Sequence, residues 1–152
     1  MSGRPRRAVR RRPSGRELRR LANSVGIGYN NIRYMNRRDI DRQLPLPPAF
    51  LHILIAIGDG ERHGYAIMQA VADRTSGKVR MSPGTLYGSI RRLLDDGLIE
   101  EVMRRPSRGD DDERRRYYRV TPFGRAVATA ETVRLSTLVQ DARAAGLVLR
   151  KG

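Results

Sequence analysis

The chain has 152 residues, with 31 lysines and arginines against 16 acids, a net charge of +15 and no cysteine. That length allows one domain with a real hydrophobic core and leaves too little for two sizeable ones. The absence of cysteine excludes disulfides and thiolate metal sites, and the basic excess favours a polyanionic partner, either nucleic acid or an anionic membrane surface.

Residues 1–34 hold ten arginines and a single acid, Glu17. The run RPRRAVRRR from Arg4 to Arg12 cannot bury enough apolar surface to offset its ordering entropy, so a disordered basic extension is expected over 1–43, with room for a short helix near Arg16 to Ala22. Such an arm would add phosphate contacts and salt dependence. A transit peptide fits less well, because serine is sparse. Met35 opens MNRRDIDRQLPLPPAF, where domain chemistry begins, and a natural translation start at Met35 is expected. The longest apolar run, Phe50 to Ile57, is broken by His52 and too short to span a bilayer, and no apolar h-region follows the first arginines. A cytoplasmic protein without a membrane partner is expected.

Pro45, Pro47 and Pro48 form an extended approach, and Pro48 suits the first turn of a helix, where no N–H is needed. The helix predicted from Pro48 to Gly58 carries Phe50, Leu51, Ile53, Leu54, Ile55 and Ile57 and is apolar almost all round. It belongs in the middle of a core or in a subunit interface, and Phe50 and Leu54 are expected at the interface. After an Asp59-Gly60 turn, a second helix starts near His63-Gly64, turns Tyr65, Ile67, Met68 and Val71 inward, and ends by Thr75-Ser76-Gly77. His63 is expected to cap or orient that helix, and His52 to lie at the core edge. Lys78 to Met81 reads as a short extended piece.

The next stretch, SPGTLYGSIRRLLDD from Ser82 to Asp96, is a third helix. Ser82 is a good N-cap and Pro83 fits the first helical position. Leu86, Ile90, Leu93 and Leu94 recur at helical spacing as one apolar stripe. The other side carries Gly84, Thr85, Gly88, Arg91, Arg92 and Asp95, and is short, polar and basic. Such a helix can bury one side and push the other into a groove, although taken alone an amphipathic helix with two arginines is more often an ordinary surface helix. Gly97 stops it.

Two strands are predicted next, Leu98 to Arg104 and Arg115 to Val120, the second with Tyr117 and Arg119 on one face and Tyr118 and Val120 on the other. The loop between them is polar. Thr121-Pro122 repeats the capping device of Ser82-Pro83 and opens a last helix running to about Ala145. The order is that of a mainly α fold with a small β-hairpin, a winged helix-turn-helix plus a C-terminal helix. In that architecture the third helix enters the major groove and the hairpin loop lies along the backbone or minor groove. The expected layout is a basic extension over 1–43, a winged-helix DNA-binding domain over 44–121 and a dimerisation helix over 122–149.

The segments LPLPPAFLHILIAIGDGERHGYAIMQAV, GKVRMSPGTLYGSIRRLLDDGLIEE and DDERRRYYRVTPFGRAVATAE, in that order, resemble the PadR family of bacterial winged-helix transcriptional regulators. The likeness runs from about Leu44 to Leu149 and is to the short members with one C-terminal helix. It implies a homodimer, joined through the last helix and often the first, that represses genes by occupying a palindromic double-stranded DNA operator. On the matching motif, Ser82, Thr85, Tyr87, Ser89, Arg91 and Arg92 would serve DNA binding, with Thr85, Arg91 and Arg92 suited to groove or phosphate contact. Tyr87 lies at the edge of the apolar stripe, its ring expected in the core and its hydroxyl toward phosphate. Gly88 faces outward, either permitting close approach or indifferent. In the wing, Arg105, Arg108, Arg114, Arg115 and Arg116, with Arg104 beside them, would grip phosphates as a group, while Asp110, Asp111, Asp112 and Glu113 pair with arginines or stay solvated. A calcium loop there lacks the alternating ligands and glycine of a known cage. Val127, Ala130, Leu135, Leu138, Val139 and Ala142 give the last helix a broad apolar face, for which dimerisation is the economical explanation.

An enzyme is disfavoured: the chain has two histidines, His52 and His63, and no P-loop, HExxH or glycine-rich dinucleotide turn. No cofactor or metal is expected. Non-specific binding of DNA or RNA driven by arginine charge is the alternative, but as an RNA reader the chain, with no Trp, two Phe and six Tyr, has few stacking platforms. Some relatives sense aromatic compounds at the dimer interface. Here the last helix has no aromatic residue beyond Phe123, and a small-molecule effector is left unnamed.

Overall fold

The computed structural model describes residues 36–103 and 115–147. The helices are α1 (Arg37–Arg42), α2 (Pro48–Ala56), α3 (Gly64–Arg74), α4 (Pro83–Asp95) and α5 (Pro122–Ala144), and the strands are β1 (Arg62–His63), β2 (Ile99–Val102) and β3 (Tyr117–Val120). The expectations for residues 1–34, including a start at Met35, lie outside the described residues.

Helix α1 begins ahead of the expected domain start at residue 44. Asn36 caps it by accepting from the Arg38 N–H at 3.0 Å, and its one buried side chain, Ile40, joins the core where α1 packs on α5. Six residues are too few to hold a helix unaided, so this packing is what maintains it.

The core is formed by Phe50, Ile53, Leu54 and Ile57 of the α2 region, Ile67 and Val71 of α3, Leu86, Ile90 and Leu93 of α4, and Ala126 and Val127 of α5. Helix α2 is not buried all round: Ile55 is exposed and Leu51 half-buried. In α3 the inner face is Gly64, Ile67 and Val71, while Tyr65, expected inward, stands 60% exposed. Of the piece expected to be extended, Lys78 and Val79 form a bend and Arg80 and Met81 belong to no regular element, and the Val79 N–H is taken by the Thr75 hydroxyl at 3.1 Å.

The sheet has three antiparallel strands in the order β1-β3-β2. No strand was expected here, His63 being read only as a cap or orienter of the helix, yet Arg62 and His63 pair with Tyr118 and Tyr117. On the other side of β3, Glu100 lies opposite Arg119 and Val102 opposite Tyr117. Tyr117 and Tyr118, successive residues of β3, are both buried, Tyr118 in the core and Tyr117 with its ring edge-on to His63. The first turns of α5 belong to this same core, with Gly124, Ala126, Val127 and Glu131 buried, so the expected division at residue 122 runs through packed structure.

Candidate nucleic-acid interface

Helix α4 owes its exact placement to both ends. Ser82 Oγ accepts from the Thr85 N–H at 3.2 Å, and Pro83 occupies the first turn. At the other end Gly97, at φ 70°, supplies the left-handed turn that lets the Leu98 N–H reach the Leu93 carbonyl at 2.9 Å. Between these ends Leu86, Ile90 and Leu93 are buried, which fixes the helix's rotation and turns Gly84, Thr85, Tyr87, Gly88, Arg91 and Arg92 to solvent.

Within this face, Ser82 donates from Oγ to Thr85 Oγ1 at 3.0 Å, leaving the Thr85 hydroxyl proton free to donate outward. The Arg92 guanidinium lies over the Phe50 ring at 5.7 Å, which ties its stem to α2. Arg91 makes no ion pair or hydrogen bond among the described residues. The face holds no acid until Asp95. A methyl group at Gly88 would meet nothing within 4 Å, so nothing in the fold demands glycine there.

Two residues of this helix lie differently from expectation. Ser89 is buried, because it falls between Leu86 and Leu93 on the inner side. Tyr87, whose ring was expected in the core, is 53% exposed and lies across the first turn of α3, where a Cβ on Gly64 would come within 2.8 Å of its hydroxyl oxygen.

At the wing's root Arg115 and Arg116 are both exposed. Arg115 Nη1 is 3.4 Å from His63 Nε2, and Arg116 Nη1 is 3.7 Å from Glu101 Oε2. His63 itself caps α3, its Nδ1 accepting from the Ala66 N–H at 3.2 Å, and its ring meets Tyr117 edge-on at 5.5 Å. Burial, with Glu101 adding to it, pushes the Tyr118 hydroxyl above its ordinary range, so it stays neutral. Arg104, Arg105, Arg108 and Arg114, and the acids Asp110 to Glu113, lie outside the described residues. Among the described residues no group of three or more His, Cys, Asp or Glu side chains is placed to hold a metal ion.

The residues expected at a subunit interface divide into two sets. Phe50, Leu54 and Val127 are buried in this chain's own core, and Ala130 is half-buried beside it. Further along α5, Leu138 is 56% and Val139 45% exposed, with Leu135 and Ala142 between buried and exposed. Among the described residues no helix is long and apolar enough to cross a membrane.

Residues 53–130, just over half of the chain, match the family described as the transcriptional regulator PadR-like family. The chain belongs to that family. The matched stretch runs from the middle of α2 through α3, α4 and the wing into α5, and so takes in the winged helix except for the first half of α2. The protein is therefore a PadR-like transcriptional regulator, of a family of DNA-binding regulators and not of enzymes. It is 38% identical over 91 residues to a transcriptional regulator of Mycobacterium tuberculosis, covering 60% of this chain and 78% of that one. An uncharacterised protein of Lysinibacillus sphaericus is 36% identical over 76 residues, covering 49% of this chain and 65% of that one. Among solved structures, a transcriptional regulator from Clostridium thermocellum aligns with a TM-score of 0.49 at 25% identity, over 70% of this chain and 95% of that one.

Proposed function

We propose that this PadR-like regulator is a dimeric, cytoplasmic repressor that reads a palindromic operator with the outer face of α4. The observation that carries the reading is the composition of that face: glycine, hydroxyl and arginine side chains, all exposed, with no acid from Ser82 to Leu94, over a buried side of Leu86, Ile90 and Leu93 in which Ser89 is the one polar residue. Thr85 and Arg91 are the readers, since both can donate outward and an arginine can be bidentate to guanine. Arg92 and the Tyr87 hydroxyl suit phosphate. Ser82 acts through Thr85 and through the helix cap. Arg115 and Arg116, with Arg105, Arg108 and Arg114, supply backbone contacts from the wing. The C-terminal half of α5 joins two copies through Leu135, Leu138, Val139 and Ala142, which gives the two-fold symmetry that a palindrome requires. The working layout is a basic extension, a winged-helix domain whose core takes in the start of α5, and a dimerisation segment beyond it.

Fluorescence-anisotropy titration against duplexes tiling the DNA upstream of its own gene, with scrambled duplexes and a salt series, tests this. One tile bound at least ~10³-fold more tightly than scrambled DNA supports operator reading. Equal binding to every duplex with a steep salt slope supports the second reading, attachment to nucleic acid through charge alone, which the +15 net charge favours.

A further inference from the structure

Helix α3 exposes a polar strip that neither the hairpin nor α4 uses. Tyr65, in its first turn, is 60% exposed, and Gln69, one turn on, is exposed as well. Gln69 Nε2 donates to the Tyr65 hydroxyl oxygen at 2.9 Å. With that oxygen accepting from the amide, the hydroxyl's own proton is the group left to donate, and the bond holds a long side chain in one place. No acid stands in the first turn of α3, and none occurs between Arg62 and Ala72. The strip also adjoins the α4 face: Tyr87 reaches across to Gly64, the residue next to Tyr65, so two exposed tyrosines meet the surface where α3 and α4 converge.

We infer that Tyr65, oriented by Gln69, is a DNA-backbone contact, donating its hydroxyl proton to a phosphate oxygen while α4 occupies the groove. Phosphate oxygens accept hydrogen bonds and do not donate, so a hydroxyl already supplied with a donor is matched to them and poorly matched to a protein or solvent donor. The helix preceding the recognition helix crosses the phosphate backbone in helix-turn-helix docking, and the first turn of α3 is the part of it that stands beside α4. A contact of this kind carries no base information. It sets how firmly the domain is seated, not which sequence it prefers.

The inference rests on the DNA-binding reading above, and the test separates the two. The full chain would carry Tyr65→Phe, Tyr65→Glu or Arg91→Ala, with thermal melts to confirm an unchanged fold, and would be titrated against the tightest upstream duplex and a scrambled duplex. Tyr65→Phe should weaken both duplexes about three- to tenfold, leaving their ratio unchanged. Tyr65→Glu, which sets a carboxylate against phosphate, should weaken both further, whereas Arg91→Ala should lower the ratio. If both Tyr65 variants bind like the parent while Arg91→Ala is impaired, the backbone contact is overturned and the DNA reading stands. A Tyr65→Phe effect confined to the preferred duplex also overturns it, since that would be base reading. If all three variants bind like the parent, the α4 interface itself is wrong.

Discussion

Gly124 lies so close to Leu98 that a methyl group on it would collide with the Leu98 carbonyl, reaching 2.6 Å from the carbonyl carbon and 2.9 Å from the Cα. The contact locks the start of α5 to the segment joining α4 and β2. Around it, Thr121 donates from Oγ1 to the Gly97 carbonyl at 2.6 Å and from its N–H to the Leu98 carbonyl at 3.1 Å, while Thr121 Oγ1 accepts from the Gly124 N–H at 2.9 Å. Every atom in the way of a methyl is backbone, so no side-chain rotation relieves it. Gly124→Ala should destabilise the fold by about 3 kcal/mol or more, at the upper end of overpacking effects. Urea denaturation followed by circular dichroism measures it, and a midpoint equal to the parent's would show that α5 can shift freely.

Glu131 is buried, 1% exposed, and takes Arg134 Nε and Nη2 on its two oxygens at 2.7 Å each. The hydrogen bond from Arg134 holds the carboxyl below its ordinary range, against the opposing effect of burial, with help from the guanidinium charge and the backbone N–H of Leu46. The carboxylate thus joins α5 to the segment between α1 and α2. A folded-state value below the unfolded one contributes stability that is complete above about pH 4.3 and is lost as pH falls through the folded value. Glu131→Gln should cost about 1–3 kcal/mol at pH 7, and its deficit relative to the parent should shrink in melts taken progressively below about pH 4. A deficit constant down to the lowest pH would mean that shape, not charge, is what the site requires.

Much of this arrangement is legible in the chain. Ser82-Pro83 and Thr121-Pro122 announce two helix starts, and both hydroxyls accept a first-turn N–H, three residues on, as the residue pattern implies. The rotation of α4 follows from the spacing of Leu86, Ile90 and Leu93. The misplacements have physical causes. A helix with His52 as its one polar side chain, such as α2, has no polar side to mark its outward face, so Phe50 and Leu54 could not be told from Leu51 and Ile55. Strand β1 is two residues long, Arg62 and His63, and exists because β3 offers an edge, a long-range condition with no local pattern. That pairing also makes β3 central and sets the His63 ring against Tyr117. Glu131 occupies a core position as a charge, which periodicity reads as surface. Helix α1 has one apolar anchor, Ile40, too few for any period to show.

Ser82 caps α4 through the same oxygen that, on the proposed reading, positions Thr85 for DNA, and two substitutions separate the two roles. Ser82→Ala removes the acceptor for the Thr85 N–H and should cost about 1 kcal/mol in denaturation experiments. Ser82→Asp keeps an acceptor at the positive end of α4 and should retain most of the stability. It also places a carboxylate where DNA phosphates would approach, so its affinity for duplex DNA should fall well below that of the parent. Undiminished binding by a stably folded Ser82→Asp would remove the first turn of α4 from the interface.

Leu138 and Val139 stand exposed on a stretch of α5 that has left its own core behind. Two copies packing there would cover both. A double substitution, Leu138→Asp with Val139→Asp, should give monomers by light scattering while leaving the melting of the winged helix near that of the parent, because neither residue contributes to its core. Truncation at Glu131 is a poorer experiment, since it also removes Arg134 and with it the buried ion pair. A doubly substituted protein that remains dimeric would place the joint elsewhere.

Gly88 offers the sharpest division between fold and function. A methyl group there meets nothing within 4 Å, and glycine inside an exposed helix costs about 0.5–1 kcal/mol relative to alanine. Gly88→Ala should therefore raise stability by roughly that amount. The fold gains nothing from glycine at this position, and on the proposed reading the outward face of α4 between Thr85 and Arg91 is where DNA would come closest. The same substitution should lower affinity for the preferred duplex more than for scrambled DNA, since a methyl in the groove obstructs base contact and leaves phosphate contact intact. Denaturation and anisotropy on one preparation give both quantities. Greater stability with unaltered binding would mean that Gly88 is indifferent and that the groove does not press against this turn of the helix.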